Sequence, residues 1–140
     1  MERSFESLAN GLLASHPLLE TKIRRSLLCG RQEASMGLVE TIKFLSLVVQ
    51  HSGLTLTPAH RIDMVWHEFI LFTRLYADFC QEQFGKCVHH TPGGSDKENR
   101  DQFAATLRVY ESRFGNPPAL FWGAVDQNIA SCGSCESKGD

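Results

Sequence analysis

The sequence predicts an all-α fold, a single-domain bundle of about five helices arranged around one long central helix. Apolar residues recur at alternating spacings of three and four over most of the chain, and Gly, Pro, Ser and Thr separate the periodic segments. A chain of 140 residues, 42% of them apolar, can bury one core but is short for two. We therefore expect one helical domain over residues 1–130 and a small, polar, cysteine-containing tail over residues 131–140.

The central helix is predicted to run from Pro58 to Gln83. Thr57 can cap its N-terminus through the side-chain hydroxyl, Pro58 suits the first helical position, and Gly85 is a typical left-handed stop. The face expected to enter the core consists of apolar residues spaced by three or four, namely Ile62, Val65, Phe69, Phe72, Tyr76 and Phe79.

Two helical regions precede the central helix. Residues 4–28 are predicted to form one or two helices, with Pro17 starting the second and Gly30 ending it. Residues 33–51 keep the helical period along their whole length, which predicts a helix that is buried over much of its surface.

Two further helices are predicted after it. The first spans about residues 97–114, with Ser95 or Asp96 as its cap and Gly115 as its stop. The second spans residues 119–129 and is expected to be anchored in the core by its aromatic side chains, Phe121 and Trp122.

Charge and cysteine content narrow the class of protein. The net charge is −2 with acids and bases interspersed, so no basic surface for nucleic acid or for an anionic membrane is expected. The N-terminus lacks a continuous apolar run, and no stretch is long and apolar enough to span a bilayer. Five cysteines without an export signal favour thiols or metal ligands over disulfides. We expect a cytoplasmic protein. A protein partner is left open, and its identity is unknown.

The most specific chemical pattern is a set of metal-ligand residues. Asp63 and His67 lie four residues apart, so their side chains share one face of the central helix and can bind one ion. His89 or His90 can supply a third ligand if the chain folds back after Gly85. The alternative for His67 is a hydrogen bond to Asp63 or to a backbone carbonyl, without a metal.

Cys132 and Cys135, in Cys-x-x-Cys spacing, can complete a tetrahedral set of nitrogen and sulfur ligands. This ligand chemistry makes zinc the expected metal, with iron as the alternative. The pair can equally be a redox dithiol or part of a tail without structure.

A family resemblance rests on the segment DMVWHEFILFTRLYADFCQEQFGKCVHHTP, followed by TLRVYESRFGNPP and Trp122. With its Asp-x-x-Trp-His motif and the later His-His pair, this region resembles small bacterial proteins related to the conserved helical region of plant glycine-rich domain-containing proteins. The resemblance covers Asp63 to Trp122 and implies a helical unit, but it implies no particular activity.

Three functions are compatible with these residues. A closed ligand set that includes both tail cysteines predicts a structural zinc site. An open set of two histidines and one carboxylate predicts a metal-dependent enzyme for oxygen chemistry or hydrolysis. Polar side chains also continue along the helix face of Asp63 and His67 as far as Arg74 and Asp78. Without a metal, this end of the face and the Gly93-Gly94 loop together predict a surface for protein–protein interaction.

Overall fold

The structure is a computed structural model that describes residues 4–90 and 94–123. Over these residues the chain is helical and contains no strand, which confirms the all-α prediction. The seven helices are α1 (Phe5–Ser15), α2 (Pro17–Leu27), α3 (Arg31–Gln50), α4 (His60–Leu71), α5 (Thr73–Phe84), α6 (Asp96–Phe114) and α7 (Ala119–Trp122). None of the helices in these two ranges is long and apolar enough to cross a lipid bilayer.

The predicted single central helix is wrong, because it is two helices. Phe72 leaves the helical conformation with φ −86° and ψ 69°, and it separates α4 from α5. Its N–H bonds the carbonyl of Phe69, three residues back, at 3.1 Å, so the last turn of α4 tightens before the chain changes direction. Neither Gly nor Pro marks this break, so local sequence signals did not predict it.

The bundle is organised instead around two neighbouring helices, α3 and α4. Helix α3 packs against α1, α2, α4 and α6, while α4 packs against α2, α3, α5 and α7. Gly37 of α3 lies where these helices come closest, since a Cβ there would lie 3.2 Å from the Phe121 ring and 3.3 Å from the Val65 side chain. The missing side chain therefore allows α3 to approach both α4 and α7.

The predicted apolar face survives the helix break. Ile62, Val65 and Phe69 of α4 are fully buried, and Tyr76 and Phe79 of α5 are 5% exposed. The aromatic rings of Phe69, Tyr76 and Phe79 meet edge to face across the break. Two short amphipathic helices thus bury five of the six residues that one long helix was expected to bury, and Phe72, at the break, is half-buried.

Thr57 does not cap a helix, which corrects the predicted start. Helix α4 begins at His60 after Ala59, without a side-chain cap. Thr57 is buried, and its N–H donates to the Thr106 hydroxyl at 3.0 Å. The Thr106 hydroxyl lies 2.9 Å from the Thr57 carbonyl, and the Thr57 hydroxyl donates to Gln102 at 2.8 Å. A long-range pairing with α6 has therefore taken the place of local capping.

The other helix ends divide between confirmed and corrected predictions. Gly85 ends α5 in the left-handed region with φ 73°, and Ser95 caps α6 through a capping box with Glu98, as predicted. Gly30 does not stop α2. Leu28 takes the left-handed conformation there, and Gly30 precedes the first residue of α3. Of the predicted last helix, Ala119–Trp122 is helical, and residues beyond 123 lie outside the described range.

A buried carboxylate joins three helices of the scaffold. Glu40 of α3 is 4% exposed, and its Oε1 accepts from Tyr110 at 2.5 Å and from the Trp122 indole at 3.0 Å. Its Oε2 accepts from Lys43 at 3.3 Å. Burial, together with the neighbouring Glu40 carboxylate, raises the pKa of Tyr110, so this residue stays a hydrogen-bond donor. Both oxygens of this buried acid have partners, as a stable core requires.

The Thr57–Thr106 pairing predicts a specific loss of stability. Thr106→Val keeps the side-chain shape but leaves the buried Thr57 N–H without an acceptor, so we expect a loss of about 1–3 kcal/mol in urea unfolding. Thr21→Val is the matched control, because both threonine hydroxyls also face the carbonyl four residues back, at 3.2 Å for Thr21 and 2.9 Å for Thr106. Equal losses for the two variants would contradict a contribution from the Thr57 pairing.

Candidate metal centre

The candidate centre begins on one face of α4. Asp63 lies in the first turn, where the positive end of the helix dipole favours a carboxylate, and it is completely buried. His67 follows one turn later with 37% of its side chain exposed, and its Nδ1 lies 4.0 Å from Asp63 Oδ2. This distance is too long for a hydrogen bond. The predicted convergence of the two side chains is therefore present, but the alternative hydrogen bond between them is not.

His90 joins them from the segment that follows α5. Its Nε2 lies 2.6 Å from Asp63 Oδ1, and only 7% of its side chain is exposed. The His90 ring centroid lies 4.4 Å from the ring centroids of both Trp66 and His67. The imidazole is thus enclosed by two side chains of α4 while it contacts the carboxylate of a third.

The segment that carries His90 is held through Tyr76. The Trp66 indole N–H donates to the Tyr76 hydroxyl at 3.0 Å, and this hydroxyl donates in a short hydrogen bond to the carbonyl of Val88. Burial raises the pKa of Tyr76 well above its usual value, so the hydroxyl keeps the proton that it donates. Val88 is itself 5% exposed. A buried side chain and a buried hydrogen bond therefore fix the backbone two residues before His90.

The helix break makes this arrangement possible. In a straight helix the Cα atoms of Trp66 and Tyr76 would be separated by about 15 Å along the axis. The chain changes direction at Phe72, and the two side chains meet. The same change lets the chain after α5 return to the level of Asp63.

The Asp63 carboxylate is only half satisfied. Within the part of the chain that the structure describes, Oδ2 is buried and has no hydrogen-bond partner. Two other buried side-chain atoms in this part also lack a partner, His60 Nδ1 and Asn99 Oδ1. A buried polar group without a partner costs about 1–3 kcal/mol, and more when it is charged. An oxygen of this kind is a natural position for a cation, which would supply the missing interaction.

The three side chains have the size and chemistry of a metal site. Asp63, His67 and His90 each offer one ligand atom, and these atoms lie within 4.8 Å of one another. Two ligands of a tetrahedral zinc ion are about 3.4 Å apart, since each bond is about 2.1 Å long. His67 Nδ1 lies 4.0 Å from Asp63 Oδ2, and His90 Nε2 lies 2.6 Å from Asp63 Oδ1. To hold one ion, the first pair of atoms would have to move slightly closer and the second pair slightly apart.

A cavity of about 450 Å³ adjoins the centre. It is lined by His67 and Ile70 of α4, by Thr73, Tyr76 and Ala77 of α5, and by Cys87, Val88, His89 and His90 of the returning segment. A ligand that enters this cavity would meet both imidazoles of the centre. An ion held by these three side chains would therefore have open space beside it, as in metal sites that keep one coordination position free.

The structure separates the remaining candidate ligands. His89 is exposed, lines the cavity, and is not part of the three-residue group, so His90 is the histidine of the pair that meets Asp63. Cys132 and Cys135 lie outside the described residues. Cys80 is fully buried, and burial raises the pKa of its thiol.

The sequence interpretation did not recognise the residues that position the third ligand. Trp66 is 5% exposed. Its hydrogen bond to Tyr76, and the bond from Tyr76 to Val88, were not predicted. A usable signal was available, because buried Trp and Tyr side chains need partners for their polar atoms.

Fold and site together define a small all-helical protein with two histidines and one carboxylate grouped beside a cavity. The chain belongs to the UCP032817-like family, an uncharacterised family whose model matches residues 16–113. That range contains all three residues of the centre as well as Trp66 and Tyr76. Searches of curated proteins and of solved structures found no significant match. The resemblance to plant glycine-rich domain-containing proteins stays a prediction.

The Tyr76 bridge predicts a local effect of Tyr76→Phe. The substitution leaves the Trp66 N–H and the Val88 carbonyl unpaired, so we expect a loss of about 1–3 kcal/mol and faster hydrogen–deuterium exchange in residues 85–90. Tyr110→Phe is the control, since it removes a comparable buried hydrogen bond, to Glu40, in another part of the bundle. Unchanged exchange over residues 85–90 in Tyr76→Phe would show that the bridge does not hold this segment.

Proposed function

We propose that the protein binds a divalent transition metal, zinc in the first place, through Asp63, His67 and His90. The observation that carries the proposal is the unpaired, fully buried Oδ2 of Asp63 beside two imidazoles whose ligand atoms lie within 4.8 Å. A carboxylate and two neutral imidazoles are ligands that zinc accepts. The cation would balance the charge of the buried acid and give Oδ2 the partner that it lacks.

Features around the ligands support the same proposal. The ring of His90 is held between Trp66 and His67, which limits the rotations that metal binding would have to freeze. Tyr76 fixes the backbone of Val88, so the third ligand is brought close before an ion arrives. A site that is largely formed in advance binds more tightly than one that must be assembled.

The cavity favours a second candidate, metal-dependent catalysis. Catalytic zinc sites have three protein ligands and a fourth position for water or substrate, whereas structural sites have four protein ligands. Two histidines and one carboxylate with free positions also suit Fe²⁺ in oxygen chemistry. In either case the metal would activate a water molecule or bind a substrate group in the cavity next to His67 and His90.

The two adjacent histidines provide a matched test of the ligand set. His90→Ala removes a proposed ligand, and His89→Ala removes an exposed neighbour that does not belong to the group. Changes outside the ligand set of metal sites typically weaken affinity about 10–100-fold, so loss of a ligand should cost at least about 100-fold. We expect this loss in calorimetric zinc titrations of His90→Ala and near-normal affinity in His89→Ala.

Thermal unfolding gives an independent readout for the same variants. Zinc at about 100 times its Kd should stabilise the unsubstituted protein and His89→Ala by about 2.7 kcal/mol, and this gain should be absent in His90→Ala and Asp63→Asn. Metal analysis of protein purified without a histidine tag identifies the ion. If neither zinc nor Fe²⁺ binds, the proposal fails, and an interaction module without metal becomes the better interpretation.

The tail cysteines distinguish an open site from a closed one. We expect the double variant Cys132→Ser/Cys135→Ser to keep its zinc affinity within about threefold, because the cavity beside the centre favours three protein ligands. Its zinc content should stay near one ion per chain by elemental analysis. A large loss of affinity in the double variant would instead mean that the cysteines complete a structural zinc site.

A further inference from the structure

A pair of thiols lies directly behind the segment that carries His90. Cys80 is in the penultimate turn of α5, and Cys87 follows the left-handed Gly85, which turns the chain back along the helix. Cys80 lies one turn after Tyr76 on α5, and the Tyr76 hydroxyl bonds the carbonyl of Val88, the residue that follows Cys87. Burial raises the pKa of the Cys80 thiol, and its hydrogen-bonding neighbours are the Val88 backbone, Tyr76 and Cys87. The two cysteines therefore meet at the point where the returning segment is attached to α5.

The two thiols differ in their access to solvent. Cys80 is fully buried, whereas Cys87 is exposed and lines the cavity beside the candidate centre. A dissolved reagent can reach the sulfur of Cys87 but not that of Cys80. This is the usual division between an attacking thiol at the surface and a resolving thiol behind it.

We infer that Cys80 and Cys87 form a redox-active pair whose disulfide locks the segment from Gly85 to His90 against α5 and thereby strengthens metal binding at Asp63, His67 and His90. The second half of this inference rests on the proposed function, whereas the first half does not. Among the described residues, the third cysteine, Cys29, is partly buried near the start of α3 and belongs to another part of the fold.

The oxidant is a small-molecule disulfide of the glutathione type. The Cys87 sulfur attacks one sulfur of the reagent, a mixed disulfide forms, and one small thiol leaves with the proton from Cys87. The Cys80 sulfur then attacks the Cys87 sulfur, which forms the protein disulfide and releases the second small thiol with the proton from Cys80. The protein loses two electrons and two protons, and the reagent gains them.

The lock acts on the same backbone that Tyr76 holds. In the reduced protein, a hydrogen bond from Tyr76 to the carbonyl of Val88 joins α5 to this segment. A covalent bond one residue before Val88 removes conformations in which His90 has moved away from Asp63. Because metal binding no longer has to restrict those conformations, affinity rises.

The disulfide is tested first by peptide mapping. The full-length protein is equilibrated with oxidised and reduced glutathione and then mapped by mass spectrometry without reduction. We expect a Cys80–Cys87 linkage, with Cys29 remaining a thiol as the internal control. A glutathione adduct that persists on Cys87 while Cys80 stays reduced would overturn the inference. Cys87→Ser, at an exposed position, keeps the test available if Cys80→Ser does not fold.

The coupling is tested by zinc titration of the oxidised and reduced forms in a Cys29→Ser/Cys132→Ser/Cys135→Ser background. We expect the oxidised form to bind at least about fivefold more tightly, at the lower end of typical coupling between sites. By reciprocity, saturating zinc should then lower the reduction potential of the pair by about 20 mV, since tenfold corresponds to about 30 mV for two electrons. Cys87→Ser should bind zinc with the affinity of the reduced form under both conditions.

The outcomes separate the two proposals. Equal zinc affinity in the two redox states, with the disulfide formed, overturns the coupling and leaves the metal site standing. Failure to bind zinc in either state overturns the proposed function, while the mapped linkage still decides the fate of the thiol pair.

Discussion

One oxygen atom joins the three segments on which the candidate centre depends. The Tyr76 hydroxyl accepts from Trp66 of α4, belongs to α5, and donates to Val88 of the returning segment. Because all three groups are buried, water cannot replace a lost partner, and each bond is worth more than it would be at the surface. This junction holds the backbone two residues before His90, which contacts Asp63.

Two buried carboxylates in the same bundle show what distinguishes a structural acid from a candidate ligand. Glu40 receives donors on both oxygens, from Tyr110, Trp122 and Lys43, and it connects α3, α6 and α7. Asp63 is more deeply buried, yet among the described residues only its Oδ1 has a hydrogen-bond partner. Burial alone does not explain the difference, since both acids are enclosed. The protein satisfies the acid that holds the scaffold together and leaves one oxygen of the other available.

Much of the fold could be predicted from the sequence because amphipathic periodicity depends only on which side chains avoid water. The buried face of α4 and α5 was predicted correctly although the helix breaks, since the residues on either side of Phe72 each keep their own spacing. The break itself could not be predicted, because neither Gly nor Pro marks it in the local sequence. Thr57 illustrates the same limit, as its capping potential was outweighed by a partner 49 residues away.

The candidate site also combines residues placed by the local sequence with a residue placed by tertiary contacts. Asp63 and His67 follow from helical spacing, which the local sequence determines. The choice of His90 over His89 depends on the path of the segment after Gly85, and that path is set by a tyrosine hydroxyl twelve residues before Val88. His89 is exposed, whereas His90 is partly buried and its Nε2 contacts Asp63, so His90 is the histidine of the pair that turns towards the carboxylate. Helix α4 therefore supplies two residues of the candidate centre, and an anchored segment supplies the third. Asp63 and His67 lie on α4, whereas His90 lies on the segment after α5. A change that loosens or tightens this segment therefore acts on the centre through His90 and leaves Asp63 and His67 in place.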